Sequence, residues 1–81
     1  MSNKLFVGNL SWNVGERRLL EVFARHGEVE EARVMKDDRS GVSRGFGFVT
    51  MESAEGATKA REALHGTKLE GNDLIVDAAK S

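Results

Sequence analysis

The side chains best suited to contacting a ligand lie in one run, at positions 44–51. In this run a cation and two aromatic rings alternate with small or apolar residues. Successive side chains of an extended strand point to opposite faces, so Arg44, Phe46 and Phe48 would share one face. The other face would carry Val49 and Met51, which already offer an apolar surface for packing. Two phenyl rings on a strand usually indicate core, so this strand is either covered on both faces or has one aromatic, basic face reserved for a ligand.

Catalytic and metal-binding chemistry find little support elsewhere in the chain. There is no cysteine, and the two histidines, His26 and His65, are far apart in sequence and each lies at a predicted helix end, where an interaction with the helix dipole explains them. A Gly-rich phosphate loop, a nucleophile elbow and a paired histidine and acid are all absent. The serines at 40, 43 and 53 have the positions of turn and cap residues. We therefore expect no enzyme activity, no cofactor and no metal site.

Length and charge set the remaining bounds. The 81 residues predict a single domain over 1–81, without a linker. Lysine and arginine total 12 against 13 aspartates and glutamates, so the net charge of -1 argues mildly against binding nucleic acid by bulk attraction. No apolar run approaches the roughly 20 residues of a membrane span, and no signal peptide is visible. We expect an intracellular monomer without a membrane partner, cytoplasmic if bacterial and otherwise nuclear or organellar.

Hydrophobic periodicity predicts six elements in the order strand, helix, strand, strand, helix, strand. Asn13 or Gly15 could cap the first helix and Ser53 the second. The eight-residue, mostly polar stretch 36–43 contains a glycine and predicts a long, mobile hairpin loop before the third strand. The predicted ranges are 4–8 (strand), 16–25 (helix), 29–35 (strand), 44–51 (strand), 53–64 (helix, with its cap) and 74–77 (strand), followed by a short tail over 78–81.

Each predicted element has one apolar face. In the first strand, Leu5 and Val7 oppose Phe6, and in the second strand, apolar residues at 32 and 34 oppose Glu31, Arg33 and the methionine at 35. The first helix carries an apolar stripe at three- and four-residue spacing, and the second a stripe of smaller residues. These stripes are formed by Leu19, Leu20, Val22 and Phe23 in the first helix, and by Ala57, Ala60 and Leu64, with Ala63 beside them, in the second.

This order predicts an α+β fold, a βαββαβ ferredoxin-like sandwich in which two helices cover one face of a four-stranded antiparallel sheet. The helices can cover only the face that carries the apolar residues at 5, 7, 49 and 51. Phe6, Phe46 and Phe48 therefore stand together on the uncovered face, where three exposed phenyl rings would be a costly apolar patch in a protein with no use for them.

With these residues in place, the sequence resembles the RNA recognition motif family over nearly its whole length. Residues 44–51 (RGFGFVTM) resemble the family's first ribonucleoprotein signature at every position except the last, where Met51 replaces an aromatic residue on the core face. Residues 5–10 (LFVGNL) resemble the second signature throughout. The presence of both signatures, in the right order and on the right elements, makes the resemblance specific.

The resemblance implies single-stranded RNA as the partner. Phe6 and Phe46 resemble the positions that stack successive bases, Phe48 resembles the one that packs against the sugars between them, and Arg44 would pair with a phosphate. Glu31 and Asp77 would project near the same face and disfavour some phosphate positions. The full set of expected RNA-binding residues is Phe6, Phe46, Phe48, Arg44, Lys4, Arg33, Met35, Lys36, Arg39, Asn9, Asp77 and Lys80.

Two alternatives remain open on the sequence. Members of the same family that hold peptides usually lose the sheet aromatics, whereas this chain keeps all three, so RNA is favoured over a protein-interaction module. Single-stranded DNA would be served by much the same stacking surface, and the sequence does not separate the two. Each basic residue taken alone is also explained by ordinary surface solubility.

Overall fold

A computed structural model of the chain describes residues 3–79. The order of its helices and main strands confirms the βαββαβ prediction, and one short hairpin is added near the end. Its elements are β1 (Lys4–Gly8), α1 (Glu16–Ala24), β2 (Val29–Lys36), β3 (Ser43–Met51), α2 (Ala54–Leu64), β4 (Lys68–Leu69), β5 (Asn72–Asp73) and β6 (Ile75–Ala78).

The main sheet is antiparallel with strand order β2-β3-β1-β6. β1 and β3 are central, and the register sets Phe6 opposite Phe48 and Val7 opposite Gly47. Gly47 also faces β2, where a Cβ atom would overlap the carbonyl oxygen of Arg33. Only glycine therefore allows β2 and β3 to approach at this point.

One hydrophobic core lies between the sheet and the two helices. Leu5 and Val7 from β1 and Val49 and Met51 from β3 are all buried, as predicted, and they pack in one cluster with the inner faces of α1 and α2. The helices contribute Leu19, Phe23, Ala57, Ala60 and Leu64 to that cluster. The face of the sheet that carries Phe6, Phe46 and Phe48 is left without a helix, and we call it the open face.

The helix ends agree with the sequence in part. The Ser53 hydroxyl accepts a hydrogen bond from the Gly56 amide at 2.9 Å, which confirms it as the cap of α2. Gly15 is the N-cap residue of α1, which confirms one of the two predicted candidates, although it offers no side-chain hydrogen bond; Asn13 is not the cap. The prediction that Leu20 belongs to the buried stripe is wrong: the side chain is 42% exposed, because Leu19 and Phe23 define the inner face.

The C-terminal region differs from the prediction. β4 and β5 form a two-stranded hairpin that was not among the six predicted elements. Ala78, expected in the tail, ends β6, and the following residue, Ala79, is buried and donates its amide to the Lys4 carbonyl at 2.9 Å. Chain pairing therefore continues two residues beyond the predicted strand.

The loop between β2 and β3 is held by one carboxylate. The Asp37 side chain accepts hydrogen bonds from the backbone amides of Arg39 and Ser40, each at 2.9 Å, and from the Ser40 hydroxyl at 3.2 Å. These bonds, first of all the one from the Ser40 amide, hold the pKa of Asp37 below its usual value. A loop predicted to be mobile thus carries its own hydrogen-bond network.

Within residues 3–79, no helix is long and apolar enough to cross a bilayer.

Candidate nucleic-acid interface

Three phenyl rings form a contiguous surface on the open face, which we call the aromatic platform. The centroids of Phe6 and Phe46 are 5.9 Å apart, with ring planes inclined by only 29°. Phe48 stands edge-on to both, at 5.9 Å from Phe6 and 6.2 Å from Phe46. All three rings are partly exposed, since they pack against one another but are not covered by a helix.

Two of these rings each have a cation above them. The Lys4 Nζ atom is 4.8 Å from the Phe48 centroid, and the Arg44 Cζ atom is 5.6 Å from the Phe46 centroid. Both distances are within the range of cation–π attraction. The structure therefore places Lys4 and Arg44, two of the predicted RNA-binding residues, directly beside rings of the aromatic platform.

Arg33 lies on the open face, but it is engaged with an acid. Its Nε atom is 2.9 Å from a carboxylate oxygen of Glu31 two residues earlier, and both side chains are exposed. The hydrogen bond to Glu31, and secondarily its charge, raises the pKa of Arg33 above its usual value. The pair reduces the positive charge that Arg33 would otherwise contribute.

A shallow depression lies beside the aromatic platform on its β2 side. It brings together four of the residues predicted from the sequence, two of them cations and two of them apolar. A polar threonine and the carboxylate of the ion pair complete its wall. The lining residues are Lys4, Glu31, Arg33, Met35, Phe48 and Thr50.

Two other predicted residues make hydrogen bonds within the protein. The Asn9 side-chain nitrogen donates to the backbone carbonyl of Asp73 at 2.7 Å. The backbone carbonyl of Asn9 accepts a hydrogen bond from the Asn72 side-chain nitrogen at 3.2 Å. Asn9 therefore ties the end of β1 to the β4–β5 hairpin. Asp77 lies opposite Phe6 on β6, where its carboxylate accepts from the Ala78 amide at 2.8 Å.

The remaining predicted cations gather at one end of the sheet. Lys36 ends β2 and is paired with Ser43 at the start of β3, Arg39 lies in the loop between them, and Arg44 follows Ser43. Within the part of the chain that the structure describes, none of these three cations makes an ion pair. Lys80 lies outside the described residues.

Sequence reasoning missed two exposed apolar side chains, one of them on the open face. Ile75, 47% exposed, is paired with Gly8 and therefore stands on the open face next to Phe6. The alternation of the strand does predict this position, because Ile75 and Asp77 are two residues apart and therefore share a face. Trp12, which is 77% exposed, lies in the loop after β1, where no periodicity assigns a residue to a face.

Comparison with known proteins agrees with this geometry. The sequence model of the RNA recognition motif matches residues 5–75. The 31 kDa chloroplastic ribonucleoprotein of Nicotiana plumbaginifolia is 47% identical over 79 residues, which are 98% of this chain but only 27% of that protein. The chain thus spans about a quarter of the length of this curated relative.

Solved structures show the same fold at close superposition. The crystal structure of RNA binding protein PG1 has a TM-score of 0.95 and 41% identity, covering 99% of this chain and 96% of that one. A Sxl-lethal protein/RNA complex has a TM-score of 0.95 and 27% identity, covering all of this chain and 48% of its counterpart. In both cases the likeness extends over the strands that carry the aromatic platform.

Proposed function

The chain belongs to the RNA recognition motif family, and from that premise we propose that it binds single-stranded RNA on the open face. Phe6 and Phe46 each stack one unpaired base, and Phe48 packs against the sugar between them. The observation that carries the proposal is the aromatic platform itself: three partly exposed rings, with centroids 5.9 to 6.2 Å apart, on the face opposite the helices.

Stacking provides the main part of the affinity. A base stacked on an aromatic side chain contributes about 1 to 3 kcal/mol, and the contact tolerates any base because every base has a π-face. The near-parallel rings of Phe6 and Phe46 suit two successive bases, whereas the edge-on ring of Phe48 suits the sugar. Duplex RNA is disfavoured, since its base faces are already stacked within the helix.

Local charge explains how a protein with a net charge of -1 attracts a polyanion. Lys4 and Arg44 lie over the platform rings, and Lys36 and Arg39 extend the positive charge past one end of the sheet. Many of the acids lie on helices or in the β4–β5 hairpin. The phosphates of the bound RNA therefore contact these four side chains in turn. Arg33 contributes less to the attraction of phosphate because Glu31 already pairs with it.

The rest of the proposal concerns residues 1–81 as a unit. Residues 1–81 act as one binding domain, monomeric in solution and without catalytic activity, as agrees with relatives named as ribonucleoproteins rather than enzymes. For location, the cytoplasmic expectation has no support among these relatives, whereas the organellar alternative agrees with their chloroplastic names.

The deciding experiment is a titration of the protein into a fluorescently labelled random pool of single-stranded RNA, followed by anisotropy. The same titration with a duplex and with single-stranded DNA separates the possible ligands, and Phe46→Ala tests the site. Leu20→Ala is the matched control, because it truncates an exposed apolar side chain on α1, away from the open face.

The proposal requires single-stranded RNA to bind more tightly than duplex, and Phe46→Ala to weaken binding where Leu20→Ala does not. Equal affinity for single strand and duplex would indicate backbone recognition and contradict the stacking mechanism. Tighter binding of single-stranded DNA would keep the mechanism but change the ligand. Absence of any binding would contradict the function itself.

A further inference from the structure

Trp12 has no role in the binding site described so far. Its side chain is 77% exposed, the highest value among the exposed large hydrophobic residues of the described chain, and it is the single tryptophan of the sequence. Leaving an indole in solvent forgoes the stabilisation that burial would bring. A ligand that covers the ring would recover it.

The turn that carries Trp12 is held at both ends. Leu10 before it and Val14 after it are buried in the core, and the Val14 amide donates to the Ser11 carbonyl at 3.0 Å. The Ser11 hydroxyl also donates to the Asn13 side-chain oxygen at 2.6 Å. Trp12 is therefore at the corner of an anchored turn, so that a ligand stacking on it meets a backbone that is already ordered.

This turn adjoins the aromatic platform. The Leu10 amide donates to the Gly45 carbonyl at 2.8 Å, and Gly45 directly precedes Phe46. The Cα atom of Trp12 is two residues from that of Leu10, hence within about 7 Å of it along the chain. The turn that carries Trp12 therefore lies at the end of the sheet where β3 begins, close to Phe46 along the chain.

The charge at the same end favours a polyanion as the ligand. Lys36, Arg39 and Arg44 are found there and, within residues 3–79, make no ion pairs. Of the two acids in the adjoining loop, Asp37 is directed at its own loop amides and Asp38 is exposed. An exposed aromatic ring near cations that make no ion pair is the combination that binds single-stranded nucleic acid.

We infer that Trp12 stacks a further unpaired base of the same RNA strand, where the strand leaves the open face past Phe46 and Arg44. The inference rests on the proposed function and extends it, because it lengthens the binding site beyond the two bases on Phe6 and Phe46. Trp12 then contributes to affinity only for RNA long enough to reach it.

The intrinsic fluorescence of the protein can report this contact. Since the chain has one tryptophan and no tyrosine, its emission comes from Trp12, and a stacked base quenches indole fluorescence. A series of labelled oligouridylates from about two to about eight nucleotides, within the range of single-strand site sizes, is titrated while anisotropy reports binding and emission reports stacking on Trp12. We expect the shortest oligomers to bind without quenching and the longest to quench strongly.

Variants give the second measurement. Trp12→Ala should weaken binding of the longest oligomer about five-fold or more, the equivalent of one stacked base, and leave the shortest unchanged. Trp12→Phe should retain most of the affinity, because it keeps a stacking ring. Leu20→Ala should change neither.

The outcomes separate the inference from the function on which it rests. If the longest oligomer saturates the protein and Phe46→Ala weakens it, but Trp12 emission is unchanged, the inference is wrong and the proposed function stands. If Trp12→Ala weakens short and long oligomers equally, Trp12 acts through the structure of its turn and the inference is also wrong. If no oligomer binds, both are wrong.

Discussion

The ring of Phe6 lies across Gly8, so closely that a Cβ atom at position 8 would be 2.8 Å from Phe6 Cε2 and 3.0 Å from Cζ. Gly8 is the residue two places along the same face of β1, where a side chain would normally stand. Because Gly8 has no side chain, the Phe6 ring has room to lie along the strand. This gives a physical reason for the glycine in the LFVGNL run.

Gly8→Ala should therefore weaken RNA binding through Phe6. The added methyl group forces the ring out of its present position, and we expect a loss of up to the 1 to 3 kcal/mol that one stacked base contributes. Anisotropy titrations of Gly8→Ala, Phe6→Ala and the double variant measure the coupling. If the methyl group costs as much affinity without the Phe6 ring as with it, this explanation is wrong.

Phe46 and Phe23 should separate binding from stability. Phe46→Ala removes a partly exposed platform ring, so we expect a loss of about 1 to 3 kcal/mol in RNA affinity with little change in the free energy of unfolding. Phe23 is fully buried, and Phe23→Ala should lower the free energy of unfolding by about 3 to 5 kcal/mol. Urea unfolding and RNA titration are measured on both variants. A Phe46 variant that melts much lower yet binds normally would make Phe46 a core residue.

Much of this arrangement follows from alternation along strands. Phe46 and Phe48 share a face because they are two positions apart on β3, and Phe6 joins them because its neighbours in β1 take the core face. The order of elements determines which face the helices cover. The same rule applies to Ile75. Such inferences are local, which is why they could be made from the sequence.

Contacts that depend on how the chain folds back or on side-chain conformation could not be predicted in this way. The Asn9 side chain meets Asp73 across 64 positions of sequence, and no periodicity connects them. Arg33 and Glu31 were placed on one face, but their pairing depends on side-chain conformations that the pattern does not specify. The exposure of Trp12 depends on an irregular turn. In each case the missing information was three-dimensional.

The Arg33–Glu31 pair should set how strongly salt weakens binding. With about two to four phosphate contacts and a slope near -0.7 per contact for a single strand, log affinity against log salt should fall with a slope of about -1.5 to -3. Glu31→Gln releases Arg33 from its partner, so we expect tighter binding and a slope steeper by up to about 0.7. Arg44→Ala should flatten the slope by a similar amount.

Titrations over a range of salt concentrations measure these slopes, and Phe46→Ala is the control. It should lower affinity at every salt concentration and leave the slope nearly unchanged, since it removes stacking and no charge. A parent slope steeper than about -5 would mean that electrostatics dominates a site we interpret as aromatic.

The loop between β2 and β3 should lose its order in acid. Because hydrogen bonds from the Ser40 and Arg39 amides hold the pKa of Asp37 below its usual value, the carboxylate stabilises the folded loop fully above the pKa it has in the unfolded chain. That stabilisation is lost as the pH falls through the lowered pKa of the folded state, where protonation weakens both bonds. Arg39, carried by the loop, would then lose its fixed position beside the binding site.

A pH titration followed by NMR tests this at single residues. The Asp37 carboxyl should titrate below the same residue in an unfolded reference peptide, and the amide protons of Arg39 and Ser40 should shift with the same midpoint, because they are the donors. Ser40→Ala removes the hydroxyl donor to Asp37 and, with it, the acceptor of the Val42 amide. The two backbone amide donors remain, so this variant should raise the Asp37 pKa slightly while the amide shifts persist. Asp37→Ala should abolish the shared midpoint altogether. An Asp37 midpoint at or above that of the reference peptide would show that the carboxylate does not hold the loop in solution.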